Sequence, residues 1–398
     1  WVWDSSGDRY LDFYNNVPSV GHCHPDVVAA LVRQASAINI NTRYLHESLI
    51  ELAESLAAKL PPHLDNCVFA CTGTEVNDLA VQVARQVTGN YGVLVGAHCY
   101  HGNSDLVLKL STSSYPEDER PDWLAVFEVP DPYRGSYTGD PSGACDYYLA
   151  QARDALDAME AKGHQLAALL VEPAFEAHGV VVPPPGYLIA LCEEVRKRGG
   201  LVIADEVQGG YCRMGTHWWS YQHHNIEPDM VTCGKPMGDG HPLSALVTRR
   251  DVAESYSKKY DYFNTFAGNP VSASVGKAVI DVIDRENLLQ LVTDSGAYLS
   301  EKLRELETRH DVIGCVRGYG MFQGLDIVTD PKKKTPISSK QLRHLGTLVV
   351  REGVLTGTSG RYENVLKIRP PLPATREHVD IAVNAIDKAL TKFAEELS

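Results

Sequence analysis

Four short apolar segments run into chemically active side chains, and this pattern constrains the fold more than any other feature of the sequence. Segments 91–96, 166–171, 201–204 and 229–233 lead to Tyr100-His101, Glu172, Asp205 and Lys235, respectively. Segments with helical spacing of apolar residues, such as 187–198, alternate with them, which predicts an α/β fold with a mainly parallel sheet. Because ligands bind beyond the carboxyl ends of parallel strands, we expect these side chains to share one site.

A fifth segment predicts where an anion would bind. Residues 66–70 form a short apolar strand, and Thr72-Gly73-Thr74-Glu75 then opens a helix with a regular apolar face. A helix N-terminus binds anions because its first N–H groups lack partners and its dipole is positive there. The sequence therefore predicts a phosphate-bearing ligand at the sheet edge, although the same residues are equally consistent with a capping motif alone.

Composition excludes several classes of partner and setting. The formal net charge of -14 argues against nucleic acid, because a phosphate backbone is bound by clustered Lys and Arg. No uninterrupted apolar run approaches ~20 residues, so no membrane span is expected. The nine cysteines are odd in number and spread along the chain, which favours reduced thiols in a cytoplasmic setting. No signal peptide is visible, and a predicted hairpin over residues 1–12 suggests a preceding segment.

The side chains at the predicted sheet edge match the requirements of pyridoxal phosphate. This cofactor needs a lysine for a Schiff base, an acid beside its pyridine nitrogen, donors for its phosphate and side chains on both ring faces. Lys235 lies in a Gly-Lys-Pro-Met-Gly loop after an apolar strand, where a solvated loop lysine is the alternative. Asp205 ends an apolar strand, where a carboxylate is unfavourable unless paired, and a helix N-cap is the alternative. Tyr100 taken alone is more typical of core packing.

Two other kinds of site are less consistent with the sequence. Gly318, Gly320 and Gly324 have a loose glycine spacing, but this is not the dinucleotide-binding fingerprint and lacks its βαβ context. The run His22-Cys23-His24 contains ligand-type side chains, but such close neighbours rarely face one ion, and a turn before Pro25 is preferred. We therefore expect no metal site.

Three motifs together resemble the class-III aminotransferase family of pyridoxal-phosphate enzymes, and the resemblance covers essentially the whole chain. The motifs are Ala204-Asp205-Glu206-Val207-Gln208-Gly209-Gly210, Gly234-Lys235-Pro236 and Phe263-Asn264-Thr265-Phe266-Ala267-Gly268-Asn269-Pro270. The resemblance implies a fold-type-I enzyme and a homodimer with shared active sites. A non-catalytic relative is disfavoured, because Lys235, Asp205 and Thr265 are intact.

Carried over residue by residue, the resemblance implies specific roles around the cofactor. Lys235 is the Schiff-base lysine and general acid/base, and Asp205 pairs with the pyridine nitrogen. The remaining roles fall to Gln208 near the ring hydroxyl, Val207 and Tyr100 on the two ring faces, Gly73 and Thr74 at the cofactor phosphate, and Thr265 at that phosphate from the second subunit.

The resemblance also implies a division into domains. We expect a large cofactor-binding domain over 41–284, with 1–40 and 285–398 forming a smaller α+β domain. A chain of 398 residues is long enough for two or three domains at roughly 100–200 residues each. Residues 110–146 are polar and rich in Pro, Asp and Tyr, so we predict a long surface excursion there.

One branch of the family is most similar to this sequence. The segments that resemble the ethanolamine-phosphate and phosphohydroxylysine phospho-lyases are Asn15-Asn16-Val17, Val20-Gly21-His22-Cys23-His24-Pro25, Asn77-Asp78-Leu79-Ala80, Tyr133-Arg134-Gly135 and Asn364-Val365-Leu366-Lys367-Ile368-Arg369-Pro370-Pro371. We therefore predict elimination of phosphate from O-phosphoethanolamine or a similar amine. The alternative is a class-III (omega) aminotransferase that moves an amino group from a primary amine to a keto acid.

Two departures from the aminotransferase pattern favour the lyase. Many class-III aminotransferases have a glutamine and then a glutamate shortly after a Glu-Pro dipeptide, and the glutamate pairs with an arginine before the C-terminal Pro-Pro. The matching positions here are Phe175, Ala177 and Lys367, so we expect the pair to be missing. A lyase must also bind the phosphate of its substrate, for which arginine is well suited. Arg43 is the first candidate and Arg134 the second, with neutral donors such as Asn16 beside them.

Overall fold

The computed structural model describes residues 1–397, in which strands and helices alternate as predicted. The helices are Pro25–Ala37 (α1), Glu47–Ala57 (α2), Gly73–Thr88 (α3), Asp105–Leu110 (α4), Ala144–Ala161 (α5), Tyr187–Lys197 (α6), Arg250–Ser257 (α7), Pro270–Arg285 (α8), Leu288–Arg309 (α9), Ser339–Arg351 (α10) and Arg376–Leu397 (α11). The strands are Val2–Trp3 (β1), Arg9–Asp12 (β2), Asn66–Ala70 (β3), Gly92–Gly96 (β4), Leu124–Phe127 (β5), Leu166–Val171 (β6), Leu201–Asp205 (β7), Met230–Cys233 (β8), Ser244–Thr248 (β9), Ile313–Tyr319 (β10), Phe322–Asp330 (β11), Thr335–Pro336 (β12), Val354–Leu355 (β13), Gly357–Ser359 (β14) and Val365–Ile368 (β15).

A seven-stranded sheet with the order β3-β9-β8-β7-β6-β4-β5 lies at the centre. Strand β4 pairs in parallel with β5 and β6, and β7 pairs in parallel with β6 and β8. Strand β9 runs antiparallel to both of its neighbours, β3 and β8. The carboxyl ends of β3, β4, β6, β7 and β8 therefore lie at one edge of the sheet. This arrangement confirms the predicted α/β fold with a mainly parallel sheet.

The central strands form because their sequences are apolar without alternation. All six residues of β6 (Leu-Ala-Ala-Leu-Leu-Val) and all four of β8 are buried. Helices cover both faces of such a sheet, so side chains pointing either way must be apolar. Polar residues are consequently displaced to the strand ends, where they meet at the edge of the sheet.

The predicted surface excursion over 110–146 is wrong in part. Residues Leu124–Phe127 form β5, the outermost strand of the sheet, and both Ala125 and Phe127 are buried. Helix α5 also begins within the segment, at Ala144. Strand β5 has only four residues and lies between polar stretches, so the average composition of residues 110–146 did not reveal it.

A second group of strands involves both ends of the sequence. After residue 285, strands in the order β10-β11-β15-β14 form an antiparallel sheet packed with α9, α10 and α11. Strand β2 pairs with β1 and also, in parallel, with β13, so that Leu11 lies opposite Val354. The N-terminal strands thus associate with the C-terminal part, and the boundaries at 41 and 285 stay a prediction. Among residues 1–397, no helix is both long enough and apolar enough to cross a membrane.

Candidate active site

A cavity of about 430 Å³ opens at the carboxyl ends of the parallel strands. The structure brings seven of the predicted site residues together in its lining. They are Gly73, Thr74, Tyr100, Asp205, Val207, Gln208 and Lys235. The expectation that polar strand ends share one site therefore agrees with the geometry.

Lys235 follows β8 and extends its side chain into the cavity. The side chain is exposed to the open cavity, but desolvation by the protein around it lowers the pKa of the amine, while the charge of Asp205 acts in the opposite direction. A lowered pKa increases the fraction of neutral amine, which is the form that attacks a carbonyl carbon. Lys235 is therefore suited to form a Schiff base.

Asp205 ends β7 and its carboxylate is fixed by three donors. It is only 3% exposed, and one oxygen accepts hydrogen bonds from Asn77 Nδ2 at 2.8 Å and pairs with His101 Nδ1 at 2.7 Å. The other oxygen accepts the backbone N–H of Val207 at 3.1 Å. Asn77 is held in turn by the hydroxyl of Thr232 at 2.6 Å. The N-cap alternative for Asp205 does not describe this arrangement, in which the carboxylate is held rigidly beside the cavity.

His101 supplies the positive charge next to this carboxylate. Burial lowers the pKa of the imidazole, but the neighbouring Cys99 and the hydrogen bond to Asp205 outweigh burial and raise it to about 10. The backbone of His101 is also held in place, because its N–H donates a hydrogen bond to Ser111 Oγ at 2.9 Å. The positive charge of His101 therefore balances the negative charge of the Asp205 carboxylate, and Asp205 also lines the cavity.

The N-terminus of α3 forms a capping box and faces the cavity. Glu75 N–H bonds to Thr72 Oγ1 at 3.2 Å, and Thr72 N–H bonds to Glu75 Oε2 at 2.8 Å. Gly73 and Thr74 lie in the first turn and line the cavity. A Cβ at position 73 would lie 2.8 Å from Val207 Cγ1, so glycine is required for this close packing. The capping motif is therefore confirmed, and anion binding by this helix end stays a prediction.

Tyr100 and Val207 differ in exposure although both line the cavity. Tyr100 is 42% exposed, so it is not a core residue, whereas Val207 is 6% exposed and packs on Gly73. An aromatic ring and a branched side chain at these positions can contact the faces of a flat ligand. The core-packing interpretation of Tyr100 does not agree with this exposure.

Four residues that we call the charged wall form one side of the site. They are Glu176, Gln208, Lys367 and Arg369. Lys367 Nζ lies 2.5 Å from Glu176 Oε1, and Gln208 Nε2 donates to Glu176 Oε2 at 2.6 Å. The guanidinium of Arg369 donates to Gln208 Oε1. Glu176 and Gln208 line the cavity, so these two side chains cover the cations behind them.

The charged wall corrects one expectation from the sequence. Lys367 does have a carboxylate partner, and it is Glu176 rather than a residue at position 177. Burial raises the pKa of Glu176, but Lys367 and Arg369 outweigh burial and lower it to about 2. Glu176 is therefore an anion at neutral pH, and the counter-ion pair that we expected to be missing is present.

A strained turn places Glu176 in this position. Phe175 has φ 45° and Val180 has φ 59°, both in the left-handed region that non-glycine residues avoid. Each such residue costs of order 1–3 kcal/mol, so surrounding contacts must hold the turn. On one side, the buried carboxylate of Glu172 accepts the N–H groups of Ala174 at 3.2 Å and Glu176 at 2.7 Å. The turn shifts the carboxylate by one position, which spacing in the sequence did not reveal.

The candidate phosphate ligands Arg43 and Arg134 lie outside the cavity lining. Arg43 is exposed and stacks on Phe263, with its guanidinium carbon 4.4 Å from the ring centroid. Arg134 is bound to the buried carboxylate of Asp326 through two contacts, at 2.6 and 2.7 Å. The geometry therefore does not support Arg134 as a ligand for substrate phosphate in this cavity.

Asn16 and Thr265 also lie outside the lining. Asn16 is fully buried and donates to the backbone carbonyl of Gln208 at 3.1 Å, so it supports the wall from behind. Thr265 is exposed, in the segment that contains Phe263 and the 73% exposed Phe266. Thr265 therefore cannot serve the cavity of its own chain in this arrangement.

Sequence reasoning missed Glu176 and Arg369 as residues of the site, and it assigned no role to His101. His101 was noted as a polar strand end, but its pairing with Asp205 depends on which strands are neighbours. Arg369 stands directly before Pro370-Pro371, and its side chain could have been identified as a second cation near Lys367. No signal in the sequence indicates the left-handed turn that places Glu176.

Comparison with known proteins places the chain in a family. The family model described as aminotransferase class-III matches residues 1–390. A protein of Drosophila melanogaster named alanine–glyoxylate aminotransferase 2-like is 37% identical over 405 residues, which cover 100% of this chain and 82% of that protein. Ethanolamine-phosphate phospho-lyase homolog 1 of Caenorhabditis elegans is 35% identical over 405 residues, with coverages of 98% and 86%.

A solved structure agrees with these relatives. A phospholyase from Arthrobacter in complex with phosphoethanolamine has a TM-score of 0.95 and 38% identity, and the match covers 98% of this chain and 92% of that one. The lysine, the fixed carboxylate and the helix N-terminus of the cavity fit the cofactor that such enzymes use. The chain is a member of the class-III aminotransferase family of fold-type-I enzymes, and its cofactor is pyridoxal 5'-phosphate.

Proposed function

We propose that the protein is a phospho-lyase that converts O-phosphoethanolamine, or a similar phosphorylated primary amine, and water to an aldehyde, ammonia and phosphate. The observation that carries this proposal is the composition of the charged wall. It contains two cations, Lys367 and Arg369, and one carboxylate, Glu176. A site with excess positive charge beside the cofactor cavity suits a dianionic group.

The number of cations also favours phosphate. The fork of Arg369 matches the oxygens of a phosphate, and Lys367 adds a point charge that phosphate also accepts. Lys367 is the cation that pairs directly with Glu176, at 2.5 Å. A substrate phosphate would reach Lys367 when the Glu176 side chain turns away, and Arg369 would then supply the second positive charge.

The remaining site residues supply binding and proton transfer. Bound pyridoxal phosphate stabilises negative charge on the carbon beside the substrate nitrogen. We assign to Lys235 Nζ the removal of the proton from that carbon, and to Asp205 the pairing with the pyridine nitrogen. Gly73 and Thr74 would hold the cofactor phosphate, with Tyr100 and Val207 on the ring faces. Gln208, which the family pattern places near the ring hydroxyl, would also bridge Glu176 and Arg369.

A class-III aminotransferase is the second candidate, and the pair of Glu176 with Lys367 favours it. A mobile counter-ion can let one site accept first an amine and then a keto acid. Several relatives are also named alanine–glyoxylate aminotransferases. We prefer the lyase because the wall holds a second cation, and because the Arthrobacter phospholyase is as similar to this chain as those relatives.

We also propose a homodimer with shared active sites. Thr265 is exposed and lies between Phe263 and Phe266, which are 45% and 73% exposed. Leu45, two residues from the Arg43 that stacks on Phe263, is 87% exposed, and such exposed apolar side chains commonly mark protein interfaces. Arg43 stacks on Phe263 in the same patch, so its predicted role toward substrate phosphate would be exerted in the partner's site.

The reduced cysteines support the expected cytoplasmic setting, although some relatives are named mitochondrial.

Borohydride should fix the cofactor on Lys235. We expect reduction of the holoenzyme to leave a stable adduct on the peptide that contains this lysine, because its lowered pKa favours the attacking form. Lys235→Ala should give no adduct and should lose the visible absorbance band of the bound cofactor. Labelling of any other lysine in the wild type would refute the assignment.

Incubation with O-phosphoethanolamine and no keto acid should release phosphate and acetaldehyde in equal amounts. The measurement is a phosphate assay together with an aldehyde assay on the holoenzyme. A control with ethanolamine, which lacks the leaving group, should give neither product. The lyase proposal would be wrong if phosphate is not released while amino transfer to pyruvate or 2-oxoglutarate proceeds.

Variants of the charged wall should change KM in opposite directions. Lys367→Met should raise KM for O-phosphoethanolamine about tenfold or more, because a charged hydrogen bond to phosphate is lost. Glu176→Gln should lower KM, because it removes the anion that competes with phosphate for the cations. Lys162 forms an exposed ion pair with Asp122, so Lys162→Met is the matched control and should leave KM for O-phosphoethanolamine unchanged. An unchanged KM in Lys367→Met would contradict this use of the wall.

Shared sites should allow two inactive variants to complement each other. Lys235→Ala and Thr265→Ala subunits, once mixed and exchanged, form hybrid dimers in which one of two sites carries neither change. With random exchange we expect about a quarter of wild-type activity to return. Subunit exchange is checked with a mass tag, and no recovery after demonstrated exchange would count against the contribution of Thr265 to the partner's site.

A further inference from the structure

We propose that Arg317 is a positioning residue for the charged wall, because it holds the strained turn at 175–180 in the conformation that directs Glu176 toward Lys367. This inference rests on the proposed function only for its kinetic consequence, since the wall is assigned to substrate phosphate there. The structural part of the inference stands on the contacts of the turn.

Hydrogen-bond donors from the C-terminal part of the chain hold the turn in place. Three of its carbonyl oxygens accept hydrogen bonds from groups outside it. These bonds are Ser359 Oγ to Glu176 O at 2.7 Å, Gly360 N to Ala177 O at 3.2 Å and Arg317 Nε to Gly179 O at 2.8 Å. Of the three donors, Arg317 is the side chain that approaches the far end of the turn, next to the left-handed Val180.

Arg317 is itself held by two buried carboxylates. Its Nη1 lies 3.0 Å from Asp131 and its Nη2 lies 3.3 Å from Asp326. Asp326 is fully buried and also binds Arg134, so the guanidinium of Arg317 is fixed by contacts outside the turn. The three nitrogen atoms of one guanidinium thus join two carboxylates to the carbonyl of Gly179.

A lysine at this position could not make all three contacts. Its single ammonium would stay with the buried carboxylates, because an unpaired buried charge is strongly unfavourable. The bond to the Gly179 carbonyl would be lost, and the strained turn would lose its hold near Val180. In the wild type the wall is already ordered before substrate binds. In such a variant, the charged wall would become ordered only when substrate binds, and the entropy lost in this ordering would weaken substrate binding.

The test compares holoenzymes of the wild type, Arg317→Lys and Arg134→Lys. Arg134 belongs to the same ion network, but its guanidinium contacts Asp326, the Lys334 carbonyl and the rings of Tyr133 and Tyr362 rather than the turn, so it is the matched control. Hydrogen exchange of peptides covering 172–181 reports the turn directly. Thermal melting reports the loss of stability that both variants share.

We expect Arg317→Lys to speed exchange in these peptides about tenfold and to raise KM for O-phosphoethanolamine about tenfold, with kcat and cofactor affinity little changed. Arg134→Lys should lower the melting temperature but leave exchange of the turn and KM within about twofold. Equal effects of the two variants on exchange and KM would overturn the proposal, because a general loss of stability would then explain both.

A second variant approaches the same contact from the turn. Gly179 has φ 114°, which strains an alanine there, and a Cβ would also lie 2.7 Å from Arg317 Nη2, so Gly179→Ala should loosen this contact and reproduce the faster exchange. If Arg317→Lys does not fold, wild-type exchange of the turn in Gly179→Ala would overturn the proposal. If the wild type releases no phosphate, the proposed function fails. Hydrogen exchange of the turn still shows whether Arg317 holds it in place.

Discussion

The site depends on the fixation of one buried carboxylate, that of Asp205. Asn77 from α3, His101 after β4 and the backbone of Val207 all bond to it, and Thr232 of β8 holds Asn77. Four elements of the large sheet layer are thereby tied to a single side chain. An anion in an apolar sheet would be unfavourable without such partners. The network therefore secures both the packing of the strands and the orientation of the carboxylate.

The second charged centre of the site has a different character. The charged wall joins a strained turn after β6 to residues of β15, which belong to opposite parts of the sequence. Its carboxylate has a pKa of about 2 because two cations surround it, so it is an anion at any physiological pH. The Asp205 network is rigid because three hydrogen bonds hold its carboxylate. The wall is held by a turn that other contacts must keep in place.

The central part of the fold could be predicted because apolar strands and their polar ends are local patterns. The residues at the ends of β4, β6, β7 and β8 converge as expected, and the cavity contains Lys235 and Asp205. Strand β5 could not be recognised, since four apolar residues in a polar stretch carry little periodicity. Glu176 was missed because its direction depends on two left-handed residues rather than on spacing. The partner of Arg134 was missed for a related reason, since Asp326 is distant in the sequence.

The pairing of β2 with β13 has a consequence for how the chain reaches this structure. Leu11 lies opposite Val354, and nearby Asn16 supports the backbone of Gln208 beside the cavity. Contacts between such distant parts of a sequence form slowly, because a long loop must close first. During synthesis β2 emerges more than 300 residues before its partner β13. The large sheet can assemble in between, and the cavity would gain the support of β2 and Asn16 only after β13 has been synthesised.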